Sequence, residues 1–105
     1  MKRVMAVGVF DLLHAGHLHY LEQAKSLGDA LTVVVAHDDT VRMRKHEPVT
    51  GQDLRRRMVE GLKPVDSAII GNPPEVPIFD ILPKVKPDVI AVSYTHLTLP
   101  TNVAV

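Results

Sequence analysis

Gly8-Val9-Phe10-Asp11-Leu12-Leu13-His14-Ala15-Gly16-His17 is the stretch on which the reading of this chain turns. It begins inside a short, nearly continuous apolar run over residues 4–10, as expected of a strand buried on both faces of a parallel sheet. Residues 11–16 read as a loop. From about residue 15 to residue 27, Leu18, Leu21, Ala24 and Leu27 recur at helical spacing, and Gly28 follows where a helix commonly needs a left-handed residue to stop. Residues 30–36 (Ala-Leu-Thr-Val-Val-Val-Ala) carry a second buried-strand pattern. Strand, helix and strand within about 33 residues make a right-handed βαβ unit.

Outward from that unit the alternation continues. Residues 37–51 are polar, lack periodicity and contain Pro48, so they read as one long loop, a length that compact domains usually reserve for function. Thr50 and Asp53 resemble a capping box, with a helix from there to about Leu62 whose expected buried stripe is Leu54, Met58 and Leu62. Pro64 ends it. Residues 68–70 are a third strand, residues 78–85 a short helix that Pro83 shortens or kinks, and residues 89–92 a fourth strand. Alternation of this kind predicts a doubly wound parallel α/β sheet.

The chain has 105 residues, room for one domain. Its formal net charge is zero, which argues against nucleic acid or an acidic membrane as partner. Without cysteine, disulfides and thiolate metal sites are excluded. The apolar run after Met1-Lys2-Arg3 is too short for a signal-peptide core or a membrane span, so a cytoplasmic location is expected. All 24 charged residues precede Val89. Residues 93–105 are neither helical nor strand-like in pattern and resemble translated adapter or vector sequence. The expectation is therefore a domain over residues 1–92, C-terminally incomplete, and a non-native tail over 93–105, with a genuine polar tail as the competing reading.

The quoted stretch lies where open α/β sheets bind ligands, between the first strand and the first helix. Two histidines three apart at a helix start point the same way, and the N–H groups of that turn add partial positive charge. Gly16 lets a phosphate approach the backbone. The expected result is a phosphate cradle with two imidazole donors, suited to in-line displacement at an α-phosphate. Chance would produce H-x-G-H in this length in roughly a few chains per thousand. Zinc held by His14, His17 and His19 is the other functional reading, but helical ligands usually take i,i+4 spacing and need a fourth group. A doubly wound ligand-binding module without chemistry is a third.

In G-x-F-D-x-x-H-x-G-H, Ala36-His37-Asp38, Arg55-Arg56-Arg57-Met58-Val59-Glu60, Lys63-Pro64-Val65-Asp66 and Lys86-Pro87-Asp88-Val89-Ile90-Ala91, the chain resembles the cytidylyltransferase-like nucleotidyltransferase superfamily. The last two segments are most similar to its archaeal FAD synthase branch. The glycerol-3-phosphate cytidylyltransferase branch typically has Arg-Tyr-Val-Asp at residues 63–66. The resemblance implies a Rossmann-like enzyme that transfers AMP from ATP to FMN, giving FAD and pyrophosphate, with Mg²⁺ on the phosphates. The alternatives are CTP-dependent transfer to glycerol-3-phosphate or a similar phosphorylated alcohol, and an inactive nucleotide-binding fragment. It implies that His14 and His17 contact the triphosphate, and that Asp11 and the backbone of Gly8, Val9 and Phe10 line the nucleotide pocket. It further implies that Arg55 and Lys45 supply charge to phosphates, that Asp38 faces the acceptor, and that the protein is a homodimer. A turn- or helix-capping carboxylate is the competing reading of Asp38, and a solvated lysine that of Lys45. Of three adjacent arginines, one or two at most face a site. The family's Gly-[Tyr/Asp]-Asp after the fourth strand is replaced here by Ser93-Tyr94-Thr95, and its later Ser/Thr-rich motif has no match.

Overall fold

A computed structural model describes residues 1–44 and 46–91, with only the backbone of Arg44, Ile78 and Phe79. Lys45 and the expected tail over 93–105 lie outside the described residues. Four parallel strands form one sheet in the order β3-β2-β1-β4: β1 (Arg3–Gly8), β2 (Ala30–Val35), β3 (Ser67–Ile70) and β4 (Val89–Ala91). The chain winds outward from β1 to β3 and returns to the other side of β1 for β4. This is the doubly wound parallel fold that the alternation predicts.

β1 and β2 bury residues on both faces, and β3 and β4 bury one face and half-bury the other, which is why the strands read as apolar runs rather than alternating ones. One face carries Val4, Ala6, Leu31, Val33, Val35, Ala68 and Ala91, packed with Leu21 and Ala24 of α1 (Ala15–Ser26) and Val59 of α3 (Gln52–Glu60). The other carries Met5 and Val34 against Ile81 and Val85, from a 3-10 turn (Ile78–Ile81) that runs into α4 (Leu82–Val85). Tyr20 stitches the switch between β1 and β4: its hydroxyl donates to the Ala91 carbonyl at 2.8 Å and lies 3.3 Å from that of Val7. Burial pushes the Tyr20 hydroxyl up to about 12.

Several local expectations are corrected. Leu27, not a left-handed glycine, caps α1, and its φ of −81° is right-handed. Gly28 answers a different constraint, since a Cβ there would come within 2.7 Å of the Lys2 carbonyl oxygen and Val4 Cγ2. The expected loop over residues 37–51 contains a helix, α2 (Asp38–Arg44), whose one deeply buried apolar side chain, Val41, leaves no periodicity to read. The N-cap of α3 is Gly51, and no side chain bonds there as a Thr50 box would require. Leu54 and Met58 are 56% and 44% exposed, while Arg55 and Val59 form the buried stripe of α3. Pro83 sits within the first turn of α4, where its missing N–H has no helical partner to lose, so it opens that helix rather than kinking it.

Candidate functional site

The carboxyl ends of β1 and β2 hold nearly all the residues singled out in the sequence. After Gly8 the chain must turn sharply, and Phe10 does so in the left-handed region, at φ 54°. That conformation costs an aromatic residue about 1–2 kcal/mol. Burial of its ring, 2% exposed, offsets the strain. Gly8 is required beneath it, because a Cβ at residue 8 would lie 2.7 Å from Cε2 and Cζ of Phe10. On its other side the Phe10 ring meets His17, with centroids 5.4 Å apart.

His14 is the N-cap of α1, with extended backbone, and His17 is its third helical residue. The two imidazoles form a reciprocal capping box. The Gly16 N–H donates to Nδ1 of His14 at 3.0 Å, and the His14 N–H donates to Nδ1 of His17 at 3.2 Å. Their rings lie 4.0 Å apart, tilted by 34°. A ring nitrogen that accepts a hydrogen bond carries no proton, so each neutral imidazole bears its proton on Nε2. The pair is therefore two Nε2–H donors fixed by their own helix terminus.

This arrangement revises the expected phosphate cradle. The N–H groups of Gly16 and His17 are already donated, to the His14 ring and the His14 carbonyl. These two N–H groups are therefore not what the turn offers to an anion. The arrangement also revises the reason for Gly16. A Cβ there would stand 2.7 Å from Cε1 of His14, so glycine keeps the His14 ring in place.

Asp11, Asp38 and Arg55 come together as one tie, in which Asp11 and Arg55 are buried and Asp38 half-buried. Arg55 is fully buried; its Nε donates to the Thr50 carbonyl and its Nη1 to the Val9 carbonyl, both at 2.8 Å, and its Nη2 pairs with Asp38. Asp11 accepts from the N–H groups of Val49 and Thr50, at 2.9 and 2.8 Å. Those two bonds, with the Arg55 charge, hold its carboxyl below the usual range. Burial acts to raise the Asp38 carboxyl, but the Arg55 guanidinium and the Gln52 N–H outweigh it and hold it low as well. Asp38 and Gln52 also exchange bonds: the Asp38 N–H donates to Gln52 Oε1 at 2.8 Å, and the Gln52 N–H reaches Asp38 Oδ2 at 3.3 Å.

The expectation that Arg55 faces phosphates is thus not what the structure presents. Its fork is spent on Val9, Thr50 and Asp38, and it fixes the turn that carries Phe10. Asp38 behaves as the capping carboxylate of the competing reading. Arg56 pairs with Glu60 at 3.2 Å on the surface, and Arg57 is exposed. His19 is exposed too, and no group of three metal-ligating side chains occurs among the described residues. Gln52 was not singled out in the sequence, and His37 stood there only within Ala36-His37-Asp38, with no role of its own. Gln52 gives no signal short of its partner, whereas His37, directly before Asp38-Asp39 at a strand end, occupies a recognisable N-cap position. Its Nδ1 accepts from the Asp39 N–H at 3.1 Å, as His14 does from Gly16.

Beside this tie a crevice of about 410 Å³ opens on the sheet face that carries α4. Val7 and Val34 line it, with Ala36, His37, Thr40 and Met43 on one side and the loop of residues 71–77 on the other. The Ala36 N–H donates to the Gly8 carbonyl at 2.9 Å, which joins the crevice to the histidine-bearing loop. Among the described residues no helix is long and apolar enough to cross a membrane.

Comparison with known proteins adds a family model, described as cytidylyltransferase-like, that matches residues 5–101. The FAD synthase of Aciduliprofundum boonei is 50% identical over 94 residues, covering 90% of this chain and 62% of that protein. The FAD synthases of Ferroglobus placidus and Thermococcus onnurineus are 51% and 52% identical, over 90% and 86% of this chain and 60% of each relative. The chain thus spans about three-fifths of the length of these curated relatives. Among solved structures, a lipopolysaccharide core biosynthesis protein from Thermoplasma volcanium superimposes with a TM-score of 0.87 at 44% identity, covering 94% of this chain and 80% of that one.

Proposed function

The chain belongs to the cytidylyltransferase-like family, and from that premise we propose that the protein transfers AMP from ATP to FMN, giving FAD and pyrophosphate. The histidine pair carries this reading. Two Nε2–H donors held side by side, on rings 4.0 Å apart, suit the oxygens of an α-phosphate on which charge grows as the bond to the leaving pyrophosphate lengthens. A phosphate oxygen of FMN attacks the α-phosphorus, the bond to the β-bridging oxygen breaks, and pyrophosphate departs. The choice of AMP and FMN is supported by the FAD synthases that resemble the chain at about half identity.

In this reading His14 and His17 contact the triphosphate, and residues 8–11 with Gly16 shape the loop that receives it. Asp11, Asp38 and Arg55 are positioning residues that hold that loop. ATP enters as its Mg²⁺ complex. The nearby carboxylates of Asp11 and Asp38 are committed to backbone N–H groups and Arg55, in keeping with a metal carried by substrate phosphates and water. Residues 1–92 form the transferase domain, of a cytoplasmic homodimer acting on small molecules.

The test is FAD formation and pyrophosphate release from ATP·Mg²⁺ and FMN. His17→Ala should lower the rate about a hundredfold or more; an unchanged rate refutes the mechanism. Turnover with CTP and glycerol-3-phosphate, but not with ATP and FMN, would reassign the protein to cytidylyl transfer. ATP binding without any turnover would reduce it to a nucleotide-binding domain.

A further inference from the structure

The crevice beside the histidine loop has a composition that the proposed reaction has not yet used. Among the described residues that line it, none is Asp, Glu, Lys or Arg. An FMN phosphate would find no counter-charge among these described residues. Its volume of about 410 Å³ falls within the usual range of roughly 300–1,000 Å³ for small-molecule sites. Val7, Val34 and Val76 make apolar walls, and three prolines in residues 71–77 stiffen one rim, which favours a preformed slot. Such a slot accepts a flat, mainly apolar body with a few polar atoms on its edge.

The opposite rim supplies polar contacts in register. His37, Thr40 and Met43 are spaced three apart at the start of α2 and along it, so they share one side. His37 is half-buried, and its Nδ1 accepts from the Asp39 N–H at 3.1 Å, which orients the ring. A neutral His37 therefore carries its proton on Nε2, available to a carbonyl or ring-nitrogen acceptor. Directly beside it, the Ala36 N–H is bonded to the Gly8 carbonyl, so a body lying in the crevice starts next to the loop that leads to His14 and His17. A phosphorylated acceptor can then lie with its ring in the crevice and its phosphate toward the histidines.

We propose that this crevice is the subsite for a flat heteroaromatic ring, the isoalloxazine of FMN, and that the Nε2–H of His37 is the donor that orients it. The inference rests on the FMN reading above and deepens it. It makes His37 a specificity-determining residue that sees the acceptor ring and not the nucleotide.

The experiment uses the whole chain and three probes: FMN, ATP·Mg²⁺ and lumichrome, which keeps a flat tricyclic flavin-type ring but lacks the ribityl phosphate. Flavin fluorescence reports the first and third, and calorimetry the second. His37→Asn retains an acceptor for the Asp39 N–H, since asparagine caps helices well, but loses the Nε2–H. It should weaken FMN and lumichrome together by about three- to tenfold and leave ATP affinity unchanged. Val76→Trp fills the crevice without touching a cap, and should weaken both flavin probes by at least about tenfold. It decides the matter should His37→Asn melt early. FMN binding that lumichrome does not compete for, or that neither variant alters, would place the ring elsewhere and overturn the inference while leaving FMN as acceptor. ATP binding with no binding of either flavin probe would overturn both.

Discussion

Replacing Arg55 by lysine isolates the tie, because it keeps the positive charge and removes the fork. In the native chain Nε, Nη1 and Nη2 each serve a different partner: the Thr50 carbonyl, the Val9 carbonyl and the Asp38 carboxylate. A lysine ammonium at the end of a flexible stem reaches one of these well, and Asp38 attracts it most. Two half-buried carbonyls then lose charged donors. Hydrogen bonds to charged groups contribute about 1.5–3 kcal/mol each, and partial repair by water reduces the sum, so the expected destabilisation is about 3 kcal/mol. For a domain of this size that lowers Tm by roughly 12–24 °C. Arg55→Ala should be worse, at about 3–5 kcal/mol, because all three bonds are lost, the half-buried Asp38 keeps its charge without its partner, and the buried Arg55 side chain leaves a cavity. Urea unfolding followed by circular dichroism reads the free energies, and Asp38→Asn combined with Arg55→Lys should give less than the sum of the single effects. The reasoning is refuted if Arg55→Lys costs under about 1 kcal/mol, within the spread of ordinary surface changes.

Three further outcomes follow from the geometry. Gly16→Ala should cut turnover about tenfold or more by displacing the His14 ring, yet leave Tm within a few degrees, since the better helix propensity of alanine offsets about 1 kcal/mol of lost capping; a rate unchanged from wild type contradicts the assigned role of Gly16. With the Tyr20 hydroxyl raised to about 12, the folded chain holds a proton that the unfolded chain releases near 10, so stability falls as pH rises between these values, by about 3 kcal/mol in all. Tyr20→Phe should flatten that alkaline limb in pH-dependent denaturation. At the acid end, the lowered Asp11 carboxyl gives stability that is present above its ordinary value and lost as pH falls through it and below. Asp11→Asn should therefore make the stability profile shallower from the ordinary carboxylate range downward.

The strands and α1 were readable in the sequence because their physics is local and strong. Residues 30–36 are a short apolar run rich in β-branched valine, the pattern of a strand buried on both sides, and Leu21 and Ala24 fall on one face of a helix. The histidine motif was readable by residue type and spacing. The rest depends on partners distant along the chain. A seven-residue helix anchored chiefly by Val41 has no period to detect. An arginine is the least expected residue at a buried position, so Leu54 and Met58 were the natural choice for the α3 stripe. Only the carboxylate of Asp38, seventeen residues earlier, and the carbonyls of Val9 and Thr50 make Arg55 admissible there. The capping box expected at Thr50 and Asp53 fails similarly, because the start of α3 is held across elements by Asp38. For the histidines, spacing predicted two rings on one side, but not that each ring would cap the turn the other begins.

The reciprocal box of His14 and His17 gives one pair of side chains two employments. For the helix alone, serine, aspartate or asparagine at residue 14 is a better first residue than histidine. A screen that selects only for thermal tolerance should therefore drift toward His14→Asn or His14→Ser, and gain melting temperature as it loses an imidazole. Selection for product formation would drive the same position back. Opposed outcomes at a single codon, under two selections on one library, would separate a residue kept for its chemistry from one kept for the fold.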